Sequence, residues 1–385
     1  MYEWIIIGGG VQGMTMASFL LQSKKTEAEK LKVIDPHSKP LENWRNCTEA
    51  ISMPFLRSPS VHHIEMNPFG LERFSKQQGH HGFYGRFKRP SLELFKTHCD
   101  HIYRELNLEN CWIQGRTKTL NKTGEHWKVT LADGKTLISE NVVLAIGIGE
   151  QPHWPEWAEA AKKNFDHIYH VFDKNLNLGN LPGPVVVIGG GMTAAHLSNK
   201  LAGLYPGEVT MLKRHPFRVK LFDSDPGWLG PKKQRTFRMN ADYTSRRNHI
   251  KSARHRGSIT RDLQIKLHHL KKRGMLEWKD FEVEQAEAEG KTLTLNGKDG
   301  SLIQAGSVIL ATGFMPSLPG KEWINPLIER EKLTCADCGY PIVNEHLQWD
   351  RGLYVTGALA ELQVGPIARN ISGARQAAEL ILSGL

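Results

Sequence analysis

Cysteine is scarce in this chain, with five in 385 residues, an odd number at scattered positions. Such a set builds no disulfide framework, and a reducing cytoplasm is the expected compartment. Long apolar runs are also missing: no stretch reaches the roughly 18–20 residues that a membrane helix needs. The first apolar run starts beside Met1 and is cut by Gly8-Gly9-Gly10, so no secretory signal is expected. Acidic residues nearly vanish from 232–273, which holds fourteen Lys and Arg with only Asp242 and Asp262. That block alone accounts for the +10 net charge of the chain. A basic block can bind nucleic acid. This one also carries Ile259, Leu263, Leu267 and Leu270 at helical spacing, so it reads as solvated amphipathic helices. Neither nucleic acid nor a membrane is an expected partner, although part of the block could steer polyanionic cofactors. The pairs His62-His63 and His80-His81 lack partners at ligand spacing, and no metal is expected.

What the chain does have is one plan written twice. Residues 4–13 read W-I-I-I-G-G-G-V-Q-G, and residues 185–194 read V-V-V-I-G-G-G-M-T-A. Each is an apolar run, then Gly-x-Gly-x-x-Gly/Ala, then a helix-like stretch, which is the dinucleotide fingerprint. Gly8 and Gly189 allow the tight turn, and Gly10 and Gly191 let the backbone approach a pyrophosphate. Gly13 and Ala194 let the helix pack on its strand, and Thr193 sits in its first turn. A helix N-terminus offers free N–H groups and a positive dipole end to phosphates. Residues 127–149 and 292–314 repeat a second pattern: short alternating strands, a turn with D-G or N-G, and an apolar strand ending in Ala-x-Gly. The fold expected is α/β, with two Rossmann-like dinucleotide-binding domains. The second is inserted into the first: residues 1–152 and 317–385 form one domain, and residues 153–316 the other. Prolines 152, 155, 182 and 184 mark the outward crossing, and 316 and 319 the return.

The two sites differ at the end of the second strand. In the first copy that strand is Leu31–Asp35, and an acid there accepts hydrogen bonds from a ribose while repelling a 2′-phosphate. In the second copy it is Val209–Leu212, followed by Lys213 and Arg214, and arginine grips a phosphate through two donors. FAD is therefore expected in the first site and NADPH in the second. Near the C-terminus Gly357 lies in a strand-and-turn segment. Gly365-Pro366 is expected to open a helix through Ile381, with Pro366 in its first turn. The N-terminus of that helix would face the flavin N1–C2=O edge.

With those residues in view, the chain resembles the two-dinucleotide flavoproteins. More narrowly it resembles the class B flavin monooxygenases, among them the N-hydroxylating ornithine and lysine monooxygenases and the flavin-containing monooxygenases. Ala311-Thr312-Gly313-Phe314-Met315-Pro316 is similar to the family's Ala-Thr-Gly-Phe/Tyr-x-Pro. Residues 165–172, F-D-H-I-Y-H-V-F, resemble the monooxygenase signature without its final glycine. Met53–Ser58 resembles a Phe-Leu-Lys-Asp stretch, with Arg57 where the family has lysine. Arg89-Pro90-Ser91 followed by Phe95 resembles a further segment. The resemblance implies hydride transfer from NADPH to FAD and reaction of reduced flavin with O2 to a C4a-hydroperoxide. The distal oxygen then passes to an amine nitrogen or a sulfur of a small molecule. It also implies that Arg57, a fixed cation, anchors an anionic group of the substrate.

Two other readings stay open. Cys335-Ala336-Asp337-Cys338 is a C-x-x-C, and related flavoproteins include NADPH-dependent disulfide or quinone reductases that insert no oxygen. A non-catalytic flavin-binding sensor is the third class. Gly339-Tyr340-Pro341 after the pair is turn chemistry, so the two thiols are expected in a loop.

Overall fold

The computed structural model describes residues 1–79 and 82–385; His80 and His81 lie outside the described residues. The first fingerprint strand, Tyr2–Ile7, pairs in parallel with Leu31–Asp35 on one side and Thr136–Leu144 on the other. Leu353–Val355 adds to the far edge of Thr136–Leu144, and Trp112–Gln114 to the far edge of Leu31–Asp35. Ile5, Ile6, Val33, Val142 and Val143 are all buried, as expected for parallel strands covered on both faces. Helix Val11–Gln22 covers one face, and the C-terminal helix Ile371–Leu382 packs beside it.

The second sheet repeats the arrangement. Val185–Ile188 lies between Val209–Lys213 and Ser307–Leu310, all parallel, with Ile168–His170 and Glu277–Asp280 at the edges. Among the described residues, strands of the first sheet come from residues 2–144 and 348–355, and those of the second from residues 168–310.

The meanders depart from strict repetition. In the first copy Thr136–Leu144 runs unbroken, so one strand serves both the antiparallel meander and the parallel sheet. In the second copy the equivalent stretch is split into Leu302–Ala305 and Ser307–Leu310. Gly306 sits at the break, where a Cβ would lie 2.3 Å from the Gly183 carbonyl oxygen. A side chain there cannot be accommodated, so the three-stranded meander stands as its own sheet.

The basic block forms helices, as its periodicity implies: Pro231–Met239, Tyr243–Ala253 and Arg261–Lys272. Leu263 and Leu267 face the core of the second unit, while Ile259 belongs to a two-residue strand before the last helix.

Candidate active site

A cavity of about 690 Å³ runs from the first fingerprint to residues of the second unit. Its walls include Gly8, Gly9, Gly10 and Asp35 at one end, and Phe172, Met192, Asp223 and Phe314 at the other. Glycine is required at specific points of this wall. Gly8 has φ +110°, and a Cβ there would lie 2.7 Å from the Ala145 carbonyl oxygen. A Cβ on Gly13 would lie 1.8 Å from the Gly8 oxygen, which is the close helix-to-strand packing that the third glycine permits. At Gly10 the opposite holds: an added Cβ meets nothing within 4 Å. The fold therefore leaves an open cradle at the N-terminus of helix Val11–Gln22, where no side chain caps the free N–H groups. That cradle fits a pyrophosphate.

Asp35 ends its strand as expected and lines the cavity. Its carboxylate accepts from Gly9 N at 2.7 Å and His37 N at 2.9 Å, and the His37 ring lies 2.7 Å away. Oδ2, which accepts only from Gly9 N, keeps a lone pair for a ribose hydroxyl. The sequence reading missed Gly9: its Cβ would strike the Trp112 ring at 2.1 Å. It also missed Arg116, which grips Glu150 through two bonds of 2.7 and 2.8 Å beside the cavity. Neither carries a local motif that could have revealed it.

The second fingerprint reproduces the first at its turn. Gly189 has φ +146°, and a Cβ would sit 2.6 Å from the Ala311 oxygen, as Gly8 does against Ala145. Gly191 caps helix Met192–Leu204 without a side-chain bond, and Thr193 and Ala194 lie in its first turn. Here the cradle is narrower, because a Cβ on Gly191 would meet Gly257 Cα at 3.3 Å. The two cations after the strand part company. Lys213 is buried and its ammonium pairs with Asp280 on the neighbouring edge strand. The expected phosphate contact from Lys213 is thus corrected: its charge is already neutralised. Arg214 is exposed and has no ion-pair partner among the described residues, which leaves it available to a 2′-phosphate.

Arg57 lines the cavity, but four of its five N–H donors are spent on the protein. Nε bonds Leu221 O at 3.0 Å and Nη1 bonds Asp223 at 2.7 Å. Nη2 reaches Lys220 O, Phe222 O and Ser258 Oγ at 2.7–3.0 Å. The anchor role expected for Arg57 is corrected accordingly. The side chain is a clasp that fixes residues 220–223 to the loop carrying Met53 and Leu56.

The C-terminal helix is also corrected. It begins at Ile371 with Asn370 as its N-cap, not at Gly365-Pro366. Gly365 has φ +83° and packs against Trp228 and Phe237. A left-handed residue there reverses the chain before the helix can start. Gly365 and Pro366 consequently lie off the cavity wall, while Arg369, Asn370 and Ile371 line it. The helix N-terminus reaches the cavity through Asn370 and Ile371, five residues later than read. Gly357, at φ +59°, packs on Gln12, whose Nε2 donates to Ala368 O at 2.9 Å and Asn370 O at 3.3 Å.

Arg369 is held by Glu361, which is 1% exposed and bonds three guanidiniums. Arg247 reaches it at 2.7 Å, Arg254 at 3.0 Å and Arg369 at 2.9 Å. Burial alone would raise the Glu361 carboxyl, but these arginines together hold it below the usual carboxylate range. Arg246 adds a bond to Leu362 O at 2.8 Å. Part of the basic block is therefore a clamp on the segment that leads into the cavity.

Two segments that carried the sequence resemblance meet in space. Phe172 and Phe314 stack at 5.5 Å with planes 7° apart, and both line the cavity. His170 lies 3.1 Å from the Gly313 carbonyl oxygen, and burial keeps its ring below the usual imidazole range.

Known proteins place these features. Residues 2–226 match the model of the pyridine nucleotide-disulphide oxidoreductase family. No match was found among curated protein sequences. An ornithine hydroxylase from Pseudomonas aeruginosa superposes with a TM-score of 0.76 at 17% identity, covering 100% of this chain and 98% of that one. An ornithine N-hydroxylase from Kutzneria sp. 744, solved with reduced FAD, NADP+ and L-ornithine, gives 0.80 at 14%, covering 100% and 98%. A bacillithiol disulfide reductase from Staphylococcus aureus gives 0.65 at 16%, covering 100% and 97%. The fold is thus shared by oxygenases and reductases alike. The chain belongs to the pyridine nucleotide-disulphide oxidoreductase family, and it is an oxidoreductase.

Proposed function

We propose that the chain is an NADPH-dependent FAD monooxygenase that oxygenates a small molecule, with an amine nitrogen as the acceptor. FAD occupies the first site, on Gly8, Gly10, Gly13 and Asp35, within a unit made of residues 1–152 and 317–385. NADPH occupies the second, on Gly189, Gly191, Thr193 and Arg214, within residues 153–316. The flavin, when bound, supplies both hydride acceptance and the activation of O2. The chain's own part is geometric. Gly10 and the uncapped helix behind it bind the pyrophosphate. The Asn370 end of the C-terminal helix directs its N–H groups at the reactive end of the cavity, and the Phe172–Phe314 stack excludes water there.

One observation carries the choice of oxygen transfer over disulfide reduction. Cys47 is the one cysteine among the cavity's lining residues, and burial pushes its thiol up to about 11. A protonated lone thiol is a poor nucleophile and has no partner for disulfide exchange. The Cys335–Cys338 pair does not line the cavity. The deciding experiment supplies NADPH, ¹⁸O₂ and a panel of primary amines to the FAD-loaded protein. A hydroxylamine product carrying the label supports the reading. Unlabelled amines together with anaerobic NADPH-driven reduction of a disulfide or quinone would assign the reductase alternative.

A further inference from the structure

Three arginines crowd one acid beside the cavity. Arg247, Arg254 and Arg369 all pair with Glu361, and their side chains are only 11–19% exposed. Two positive charges are therefore in excess in a region largely closed to water. Asp223 also acts on Arg254, but it is already paired with Arg57. A buried charge without a counterion is strongly destabilising, so the cluster calls for an anion. Arg369 shows where that anion sits, because it alone of the three lines the cavity. Its Nη2 donates to Glu361 at 2.9 Å and to the Tyr340 hydroxyl at 3.4 Å, and Nε lies against the same carboxylate. That fork fixes the guanidinium plane and leaves Nη1 on the far edge, with no partner among the described residues. Arg369 also stands one residue before Asn370, the N-cap of helix Ile371–Leu382, whose N–H groups no side chain caps. Asn370 and Ile371 line the same cavity. Gln12 ties the segment to the first fingerprint helix by donating to Ala368 O and Asn370 O. A fixed guanidinium edge and free N–H groups thus meet at one point, on the side of the first fingerprint.

We propose that the free edge of Arg369 holds the negative charge that reduction places on the flavin N1–C2=O edge, with Glu361 as its positioning residue. The proposal rests on FAD occupying the first site and is independent of whether oxygen is inserted into a substrate. A hydride from NADPH carries both its electrons to flavin N5, and the nicotinamide leaves as NADP+. The added negative charge spreads over N1 and C2=O. A guanidinium cannot lose its proton near neutral pH, so Arg369 meets that charge without giving up a proton. A contact made only after reduction favours reduced over oxidised flavin, and a fixed cation beside N1 keeps it unprotonated. The pyrophosphate has its own cradle at Gly10, behind the other uncapped helix.

The test uses the full-length FAD-loaded protein, reduced by dithionite without oxygen, so that NADPH, O2 and amines play no part. Failure of the oxygenase reading therefore leaves the measurement intact. Wild-type reduced flavin should show the anionic spectrum at pH 7 and hold it as the pH falls to 6. Arg369→Gln should lower the two-electron potential at pH 8 by about 30 mV or more, an about tenfold loss of preference for reduced flavin. Its reduced flavin should also turn neutral at a higher pH than in the wild type. Arg369→Lys keeps the charge and should recover most of both effects. FAD content and melting temperature identify a variant that fails to fold, and Arg369→Met, which keeps the bulk of the stem, is then the second charge-free variant. A neutral reduced flavin in the wild type at pH 7 would overturn the proposal, as would an unchanged potential in a folded, FAD-loaded, charge-free variant. Weaker binding of oxidised and reduced FAD by one common factor would move the Arg369 contact to the pyrophosphate. A raised KM for amines at unchanged potential would give it to the substrate, and either result overturns the flavin role.

Discussion

Replacing Gly10 by valine puts a side chain into space that the protein itself leaves empty. The fold should tolerate it, and the apoprotein should melt within a few degrees of the wild type. FAD should be lost, because the branched side chain fills the pyrophosphate cradle. Gly191→Val differs, since Gly257 already crowds that position at 3.3 Å. It should leave the protein yellow and unreduced by NADPH. Release of flavin from Gly191→Val would reverse the order of the two sites. Arg214 offers a cleaner reading than Lys213, whose ammonium is committed to Asp280. Arg214→Ala should raise KM for NADPH about ten- to a hundredfold, since a charge-assisted phosphate contact contributes roughly 1.5–3 kcal/mol. KM for NADH should hardly move, and equal effects on both coenzymes would remove the 2′-phosphate role. Arg57→Ala should act on stability, because it leaves Asp223 and the Lys220 and Leu221 carbonyls without their side-chain partner. Peroxide yield per NADPH is the discriminating measurement. A higher yield at unchanged stability would return Arg57 to the substrate.

At the scale of elements, the Glu361 cluster ties helix Tyr243–Ala253 and Arg254 to the segment ahead of the C-terminal helix. Glu361→Gln keeps the shape and removes the carboxylate that three guanidiniums share. Breaking a buried ion pair from one side costs about 3–5 kcal/mol. A loss of that order in urea unfolding of the FAD-loaded protein is expected. A loss below about 1 kcal/mol would mean that the arginines find solvent instead. These ties show where the sequence was opaque. Both fingerprints, their strand pairings and the Ala-x-Gly ends were legible, because glycine sterics and strand periodicity are local. Arg57 was not, since its partners at 220–223 are more than 160 positions away and local sequence gives no sign of them. Lys213 was misread for the same reason: only the sheet order places Asp280 beside it. The helix start was misread because Pro after Gly is a genuine start signal, overruled here by a left-handed Gly365 packed on Trp228 and Phe237.

Over the whole molecule, two copies of one plan close on a shared cavity, and the charges that lock them have a pH signature. Burial holds three histidines neutral in the folded state: His62 at about 4, His63 at about 3 and His196 at about 4. Their ordinary value is 6.5. Once unfolded, each takes up a proton below that value, while the folded chain does not. The unfolded state therefore binds more protons between about pH 6.5 and 4, and stability must fall as pH falls through that window. The slope is about 1.4 kcal/mol per pH unit for each histidine in the fully developed range. Glu361 acts in a lower window. Its folded pKa is depressed, so its contribution is complete above the usual value of 4.5 and is lost as pH falls through the folded value. Urea unfolding of FAD-saturated protein at pH 7.5, 6 and 5 separates the two. Midpoints should already drop between pH 6 and 5, before the carboxylates titrate. His196 has a buried Nε2 without a hydrogen-bond partner, so His196→Leu removes one proton site at little polar cost. That variant should lose up to one proton's worth of the slope. A wild-type midpoint that stays flat down to pH 5 would show that these rings are already charged, or reached by water, in the folded protein.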